Sequence, residues 1–382
     1  MKVTPLSSAW LCLIFILSCK PDQHSDHSVT VNDKPELLHF ALLHHQETGI
    51  DFNNQLDIDK LKSPMEYINV YNGGGVAIGD INKDGLPDIY LTGNLVGNKL
   101  YLNKGNFKFE DITAKAGVAC TGSWSTGATM YDVNEDGLLD IYVCRAYYAK
   151  PEQRTNLLFI NHGDMTFTEE GAKYGINDPG YSIVATFFDY DKDGHADLFV
   201  GNHPLNRNQS YGYHMEQWNH PKRETSNALY HNNGNGTFTD VTEKSGILTY
   251  GWTLGVVAAD LNQDNWTDLY VAVDHTEPDR YYINNGNGTF TESSQARLGH
   301  MSHSSMGIDA ADIDNNGLLD LAVVEMLGNS NYNEKTKMAS MDPNLFWEFV
   351  KNNYHYQYMR NMLQLNMGEG YFSEIGQMAG MH

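Results

Sequence analysis

Cysteine is scarce in this chain, with four in 382 residues. Basic residues are also outnumbered: 25 Lys and Arg stand against 48 Asp and Glu, and the formal net charge is −23. Nucleic-acid binding demands basic patches, so this balance argues against it. After Leu17 no apolar run reaches the ~20 residues that a membrane span requires. The G-x-S-x-G, H-E-x-x-H and phosphate-binding glycine motifs are missing. Gly73-Gly74-Gly75 enters a strand pattern and does not open a helix. Paired carboxylates for glycoside hydrolysis stay open, but no pair stands out among so many Asp.

What the chain has instead is repetition. Nine residues recur five times, beginning at Asp80, Asp132, Asp189, Asp260 and Asp312. Oxygen-bearing side chains hold positions 1, 3, 5 and 9 of every copy. They are Asp80, Asn82, Asp84 and Asp88; Asp132, Asn134, Asp136 and Asp140; Asp189, Asp191, Asp193 and Asp197; Asp260, Asn262, Asp264 and Asp268; Asp312, Asp314, Asn316 and Asp320. Position 7, filled by Leu86, Leu138, His195, Trp266 and Leu318, completes the expected metal contacts. Ca²⁺ takes about six to eight oxygen ligands. Gly at position 6, or Asn265 in the fourth copy, tolerates the left-handed backbone of a sharp turn. Five copies in register predict about one Ca²⁺ per loop, up to five. The alternative is a set of solvated Asp/Asn/Gly turns with no metal.

The loop is not an EF-hand, which needs Glu at position 12 and flanking helices. Position 12 here is Leu91, Val143, Val200, Val271 or Val323, within a short apolar run. A similar run precedes each loop, so the loop reads as a β-hairpin tip. A second pattern follows: strand, Asn/Gly turn, strand, as in Asn227-Ala-Leu-Tyr-His-Asn-Asn-Gly-Asn-Gly-Thr-Phe-Thr-Asp240. Each unit thus holds about four strands, and the loops start 52, 57, 71 and 52 residues apart. A four-stranded repeat of roughly 40–50 residues is a propeller blade. The expected fold is all-β: a β-propeller with blades at about 73–111, 124–170, 181–240, 252–292 and 304–374. Insertions are expected at 202–226 and 327–358.

These loops resemble those of the FG-GAP/VCBS repeat family, whose blades carry D-x-[DN]-x-[DN]-G-x-x-D calcium loops, as in integrin α-subunit propellers. The stretches Tyr71–Asp80 and Tyr358–Asn366 resemble, more closely, large bacterial lipoproteins that begin with such repeats and end in an ASPIC/UnbV-type domain. The likeness runs from about residue 40 to the end. Against the family pattern, Asn265 replaces Gly and Asn316 replaces Asp, so loops four and five are expected to turn less sharply or bind more weakly. Ile375–Gly380 resembles the inter-blade linker Ile112–Gly117. Either five blades close here or the chain is the first part of a longer polypeptide, and the resemblance favours the second.

Sixteen of the loop oxygens at positions 1, 3, 5 and 9 belong to Asp, and five Ca²⁺ would offset ten of those charges. Extracellular modules often bind at roughly 10⁻⁴–10⁻³ M, so structural ions are expected rather than sensors. Residues 1–18 have the layout of a signal peptide: Lys2, an apolar run from Trp10 to Leu17, then Ser18. Ile16-Leu-Ser-Cys19 resembles a lipobox with Cys19 as the lipidated residue, the alternative being an ordinary signal peptide. Residues 19–39 would be the lipidated Cys and a polar tether. The expected location is exported, lipid-anchored to the outer membrane and periplasmic or surface-facing. Cys12 would be lost with the leader. Cys120 and Cys144 are expected to be buried free thiols, with a disulfide the alternative that an oxidising compartment permits.

Loops carried on a rigid scaffold are where binding residues collect. The first insertion holds Arg207, Tyr211, Tyr213 and Trp218, which suit a sugar face or a partner surface. The alternative is a loop that folds back and buries its rings. In the second insertion Asp342-Pro343 reads as an N-cap and first helical residue. Leu345, Phe346, Phe349 and Val350 then form a packing stripe. The histidines His44, His45, His195, His231, His300 and His303 lack close ligand spacing, so hydrogen-bonded structural roles are expected. The expected function is a non-catalytic binding, adhesion or scaffold module for a surface glycan or protein, with the membrane as a partner and possible downstream domains. The alternative is a polysaccharide lyase or hydrolase, or an accessory subunit of a glycan-processing system.

Overall fold

Short apolar or β-branched runs on both sides of each acidic loop pair as antiparallel strands. The computed structural model describes residues 40–57, 59, 61, 67–204, 211–326, 328, 330, 332–333 and 343–381. Blade one is β1 (Val76–Gly79), β2 (Asp88–Leu91), β3 (Lys99–Asn103) and β4 (Phe109–Asp111). Blade two is β5 (Ser125–Tyr131), β6 (Asp140–Arg145), β7 (Leu157–Asn161) and β8 (Phe167–Glu169). Blade three is β9 (Tyr181–Phe188), β10 (Asp197–His203), β11 (Ala228–Asn232) and β12 (Phe238–Asp240). Blade four is β13 (Trp252–Ala259), β14 (Asp268–Asp274), β15 (Arg280–Asn284) and β16 (Phe290–Glu292). The chain continues through β17 (Met301–Ser302), β18 (Ser305–Ala311), β19 (Asp320–Glu325), β20 (Gln357–Tyr358), β21 (Met362–Asn366) and β22 (Phe372–Glu374). Blade five is β18, β19, β21 and β22 in that order, while β17 pairs with β20 in parallel.

Every blade is a four-stranded antiparallel meander. The second strand is the most enclosed: β6, β10 and β14 are buried along their whole length. Blades stack through their first strands, β1 on β5, β5 on β9, β9 on β13 and β13 on β18. Apolar side chains fill each junction. Leu100, Ile112 and Val118 meet Ile141 and Phe159 between blades one and two, and Phe199 and Ile247 meet Val271 and Tyr282 between three and four. Burying one such side chain contributes about 1.5–3 kcal/mol, so the blades hold each other. Among the described residues no comparable packing joins β1 to β18, and the blades form an arc without visible closure.

Cys120 and Cys144 are free thiols. Cys120 packs on the core between blades one and two, and Cys144 lies in the core between two and three. Burial pushes the Cys120 thiol up to about 11. The second insertion contains the helix Pro343–Lys351, with Phe349 buried and Leu345 exposed; Asp342 lies outside the described residues. No helix among the described residues is long and apolar enough to cross a membrane.

Candidate functional site

Each acidic loop connects the first and second strands of its blade, so all five open on one end of the blades. The insertions leave the far ends of β10 and β19, at the opposite end. Position 6 is left-handed throughout: Gly85, Gly137, Gly194, Asn265 and Gly317 have φ of 67 to 92°. Asn265 therefore turns as the glycines do, contrary to the sequence expectation, because its short polar side chain tolerates that region. Position 4 is left-handed as well, with Lys83, Glu135, Lys192, Gln263 and Asn315 at 59 to 64°. Four residue types, Lys, Glu, Gln and Asn, occupy it, so the sequence carries no signal of this second bend.

The bends aim backbone N–H groups at the first Asp. Asp80 accepts from Gly85 at 2.7 Å and from Asp84 at 3.2 Å. Asp132, Asp260 and Asp312 repeat the pair. Asn316 takes the place of Asp without changing the loop: its side-chain oxygen accepts from Leu318 N–H at 2.7 Å, as Asp84 accepts from Leu86 at 2.9 Å.

Position 9 acts differently. Asp88, Asp140, Asp197, Asp268 and Asp320 are all buried, at 0 or 1 % exposure. One carboxylate oxygen accepts from the position-2 amide of its own loop, at 2.9 to 3.2 Å. The other accepts from the amide of an Asn ending the third strand, at 2.7 to 2.8 Å. That Asn, at 103, 161, 232, 284 or 366, donates its side-chain amide to the position-8 carbonyl. Asn161, Asn284 and Asn366 also donate to the position-2 carbonyl of the preceding blade's loop, at 2.8 to 2.9 Å. An Asp–Asn clasp thus ties each loop to its second hairpin and, through Asn161, Asn284 and Asn366, three of the blades to the loop before them. Burial pushes Asp140 up to about 6 and Asp197 and Asp268 to about 7.

The oxygens converge as a cation site requires. Ligand atoms of Asp189, Asp191 and Asp197 lie within 4.8 Å of one another, as do those of Asp312, Asp314 and Asp320. Loop three departs from the others. There the Asp193 amide donates to Asp191 at 3.4 Å without the second bond to the first Asp that its counterparts make, and Asp189 Oδ1 is buried with no partner. A buried carboxylate oxygen without a donor is costly unless a cation meets it, so these residues fit a metal ion. Neighbouring loops also touch: Glu135 Oε1 lies 2.5 Å from His195 Nδ1, Lys192 Nζ sits 4.3 Å over the Trp266 ring, and Gln263 donates to the Gly317 carbonyl at 3.3 Å.

Of the histidines, His300 lies 3.0 Å from Glu374 and His303 Nδ1 3.2 Å from Ser304 Oγ, in the hydrogen-bonded roles expected of them. His231 is the exception. Its Nδ1 lies 3.3 Å from Asp191 and 3.2 Å from Asp197, inside loop three. The readable signal was its place before the clasp Asn, where the other blades carry Leu102, Ile160, Ile283 and Leu365.

At the opposite end, the helix Tyr211–Asn219 lies in the first insertion. Tyr213 is exposed. Trp218 is half-buried: Arg280 stacks on it at 3.5 Å and the Tyr354 ring is 4.7 Å away. His214 is buried against Tyr250 and Trp252, 3.5 Å from Glu277. Glu277 is fully buried, neither of its oxygens has a hydrogen-bond partner, and burial pushes its carboxyl up to about 8. Arg207 and Cys19 lie outside the described residues, and Tyr211 is placed only as the first residue of the helix.

A family model described as an FG-GAP-like repeat matches residues 80–143, 147–200, 221–271 and 260–323, more than half of the chain. The chain is 29% identical over 164 residues to cartilage acidic protein 1 of Xenopus tropicalis, across 42% of this chain and 25% of that protein. It is 30% identical over 131 residues to the Mus musculus protein of the same name, across 34% of this chain and 20% of that one. The matched stretch is therefore a fifth to a quarter of these relatives' length. Among solved structures, a lectin of Agrocybe aegerita, described as recognising non-reducing terminal N-acetylglucosamine, has a TM-score of 0.44 and 19% identity, across 78% of this chain and 64% of that one.

Proposed function

We propose, for a chain that belongs to the FG-GAP-like repeat family, a non-catalytic binding or scaffold module whose loops hold structural Ca²⁺. The carrying observation is the convergence of loop carboxylates together with the unpartnered buried oxygen of Asp189. Positions 1, 3, 5 and 9 of each loop would hold the ion with the position-7 residue beside them. The ion would supply the positive charge that the clustered carboxylates lack. In this reading the loops stiffen one end of the arc, and recognition falls to the insertion-bearing end.

The leader pattern supports export and lipid anchoring through Cys19 to the outer membrane. The polar tether would place the arc clear of the bilayer, facing a surface glycan or a protein. Tyr213 is the exposed ring of the first insertion and would touch such a ligand. Trp218, held between Arg280 and Tyr354, would orient the helix. A glycan array probed with the chain in Ca²⁺, with a chelated sample and a melting curve beside it, tests the reading. Binding to one sugar class that Tyr213→Ala weakens supports it. A folded, calcium-loaded chain that binds no glycan moves the ligand to protein.

A further inference from the structure

Loop three differs from its four siblings in three ways, each visible without the others. It alone carries Asp at all four of positions 1, 3, 5 and 9. Its first Asp leaves an oxygen buried and unpartnered. A histidine from β11 enters it, where the equivalent strand residue of every other blade is Leu or Ile. The His231 Nδ1 atom and carboxylate oxygens of Asp191 and Asp193 lie within 4.8 Å of one another, and so do oxygens of Asp189, Asp191 and Asp197. The two groups share Asp191, so one ion can draw on both.

Imidazole nitrogen is a poor ligand for Ca²⁺, which selects oxygen. It is a preferred ligand for first-row transition ions, and mixed imidazole–carboxylate sets suit Zn²⁺ and Mn²⁺. We propose that loop three is a transition-metal site, with His231 Nδ1 joining Asp189, Asp191, Asp193 and Asp197 as ligands, while the other loops remain oxygen-only. The proposal rests on reading the loops as metal sites. It adds that one of the five differs in the class of ion it takes. His231 replaces its contacts to Asp191 and Asp197 with a bond to the ion that lies between them.

The test uses the full chain, stripped with chelator and returned to millimolar Ca²⁺, then titrated with Zn²⁺ in a calorimeter. One Zn²⁺ per chain should bind above the calcium background. His231→Leu, which installs the residue type of the sibling blades, should weaken that site about tenfold or more. Pulsed EPR of bound Mn²⁺ should show nitrogen coupling that this variant loses and His300→Ala retains. Circular dichroism checks folding, and His231→Gln, which swaps nitrogen for oxygen and keeps a polar side chain, replaces the Leu variant should that fail to fold. Zn²⁺ affinity or nitrogen coupling unchanged in the variant overturns the proposal, as does a chain that takes no Zn²⁺ in the presence of Ca²⁺. If no loop takes Ca²⁺ but Zn²⁺ still needs His231, the calcium reading falls and this inference stands.

Discussion

The two ends of the blades are built by different rules. At the loop end, a left-handed bend at positions 4 and 6 and the Asp–Asn clasp at position 9 recur in all five blades, and a pair of amides converges on the first Asp in every loop but the third. At the insertion end one bond still repeats, an amide at the end of the second strand donating to Asn98, Asn156, Asn227, Asp279 or Asn361, but the packing around it is individual to each blade. There a helix is pinned by Trp218 on Arg280, a parallel pair joins β17 to β20, and Glu277 is buried beside His214. The loop end buries charge among backbone donors that exist in every blade. The insertion end also buries a charge outside any repeated scheme, Glu277 beside His214. The first arrangement accommodates Asn265 at the Gly position and Asn316 at an Asp position, because the left-handed turn and the side-chain oxygen are kept. The second depends on each side chain.

That contrast breaks most visibly on removing metal. Chelation should lower the melting temperature, since each independent site held at a hundredfold its dissociation constant stabilises by about 2.7 kcal/mol. A melting temperature indifferent to chelator and Ca²⁺ would remove the ions from the stability of the loop end. Asp140→Ala should come next. It strands the amides of Val133 and Asn161 in a buried site, costing on the order of 3 kcal/mol in denaturant unfolding. A loss below about 1 kcal/mol would mean the clasp is decorative.

Glu277 tests the insertion end through pH. Its folded-state pKa of about 8 lies above the ordinary 4.5. The folded state therefore holds this proton more tightly than the unfolded chain does. The associated stability is complete below pH 4.5 and drains away as pH rises through about 8. Glu277→Gln should flatten the fall of stability across that window and leave the variant the more stable protein at pH 8. An unchanged pH profile would show that the carboxyl finds a partner in solution.

The smallest effects separate packing from recognition within the first insertion. Trp218→Ala should cost about 1–2 kcal/mol, for the lost stacking on Arg280 and Tyr354. Tyr213→Ala, at an exposed position, should stay within about 0.5 kcal/mol. Equal losses in thermal unfolding would erase the division of labour between the two rings.

Much of the loop end was legible because its information is local. The nine-residue spacing, the Gly or Asn turn and the apolar runs lie within a few residues of one another. They announce hairpin, blade and a cluster of acidic side chains together. The left-handed residue at position 4 was not legible, since Lys, Glu, Gln and Asn share no preference that marks it. Nor was the role of position 9, whose partner Asn lies 15 residues on in blade one and 46 residues on in blade five. His231 reads in sequence as an isolated histidine because the carboxylates beside it, Asp191 and Asp197, lie 40 and 34 residues earlier in the chain. Trp218 looked equally suited to a ligand or to packing until Arg280 and Tyr354 were seen beside it.

The sequence by itself determined the repeat, the four-stranded blade and the acidic loop, because these follow from short apolar runs and turn chemistry over short stretches of chain. Only the tertiary structure decided which carboxylates are buried, which loop receives a histidine and which aromatic ring is exposed. Those outcomes depend on strands meeting across tens of residues, where burial and the supply of hydrogen-bond donors are set by neighbours that no local pattern names.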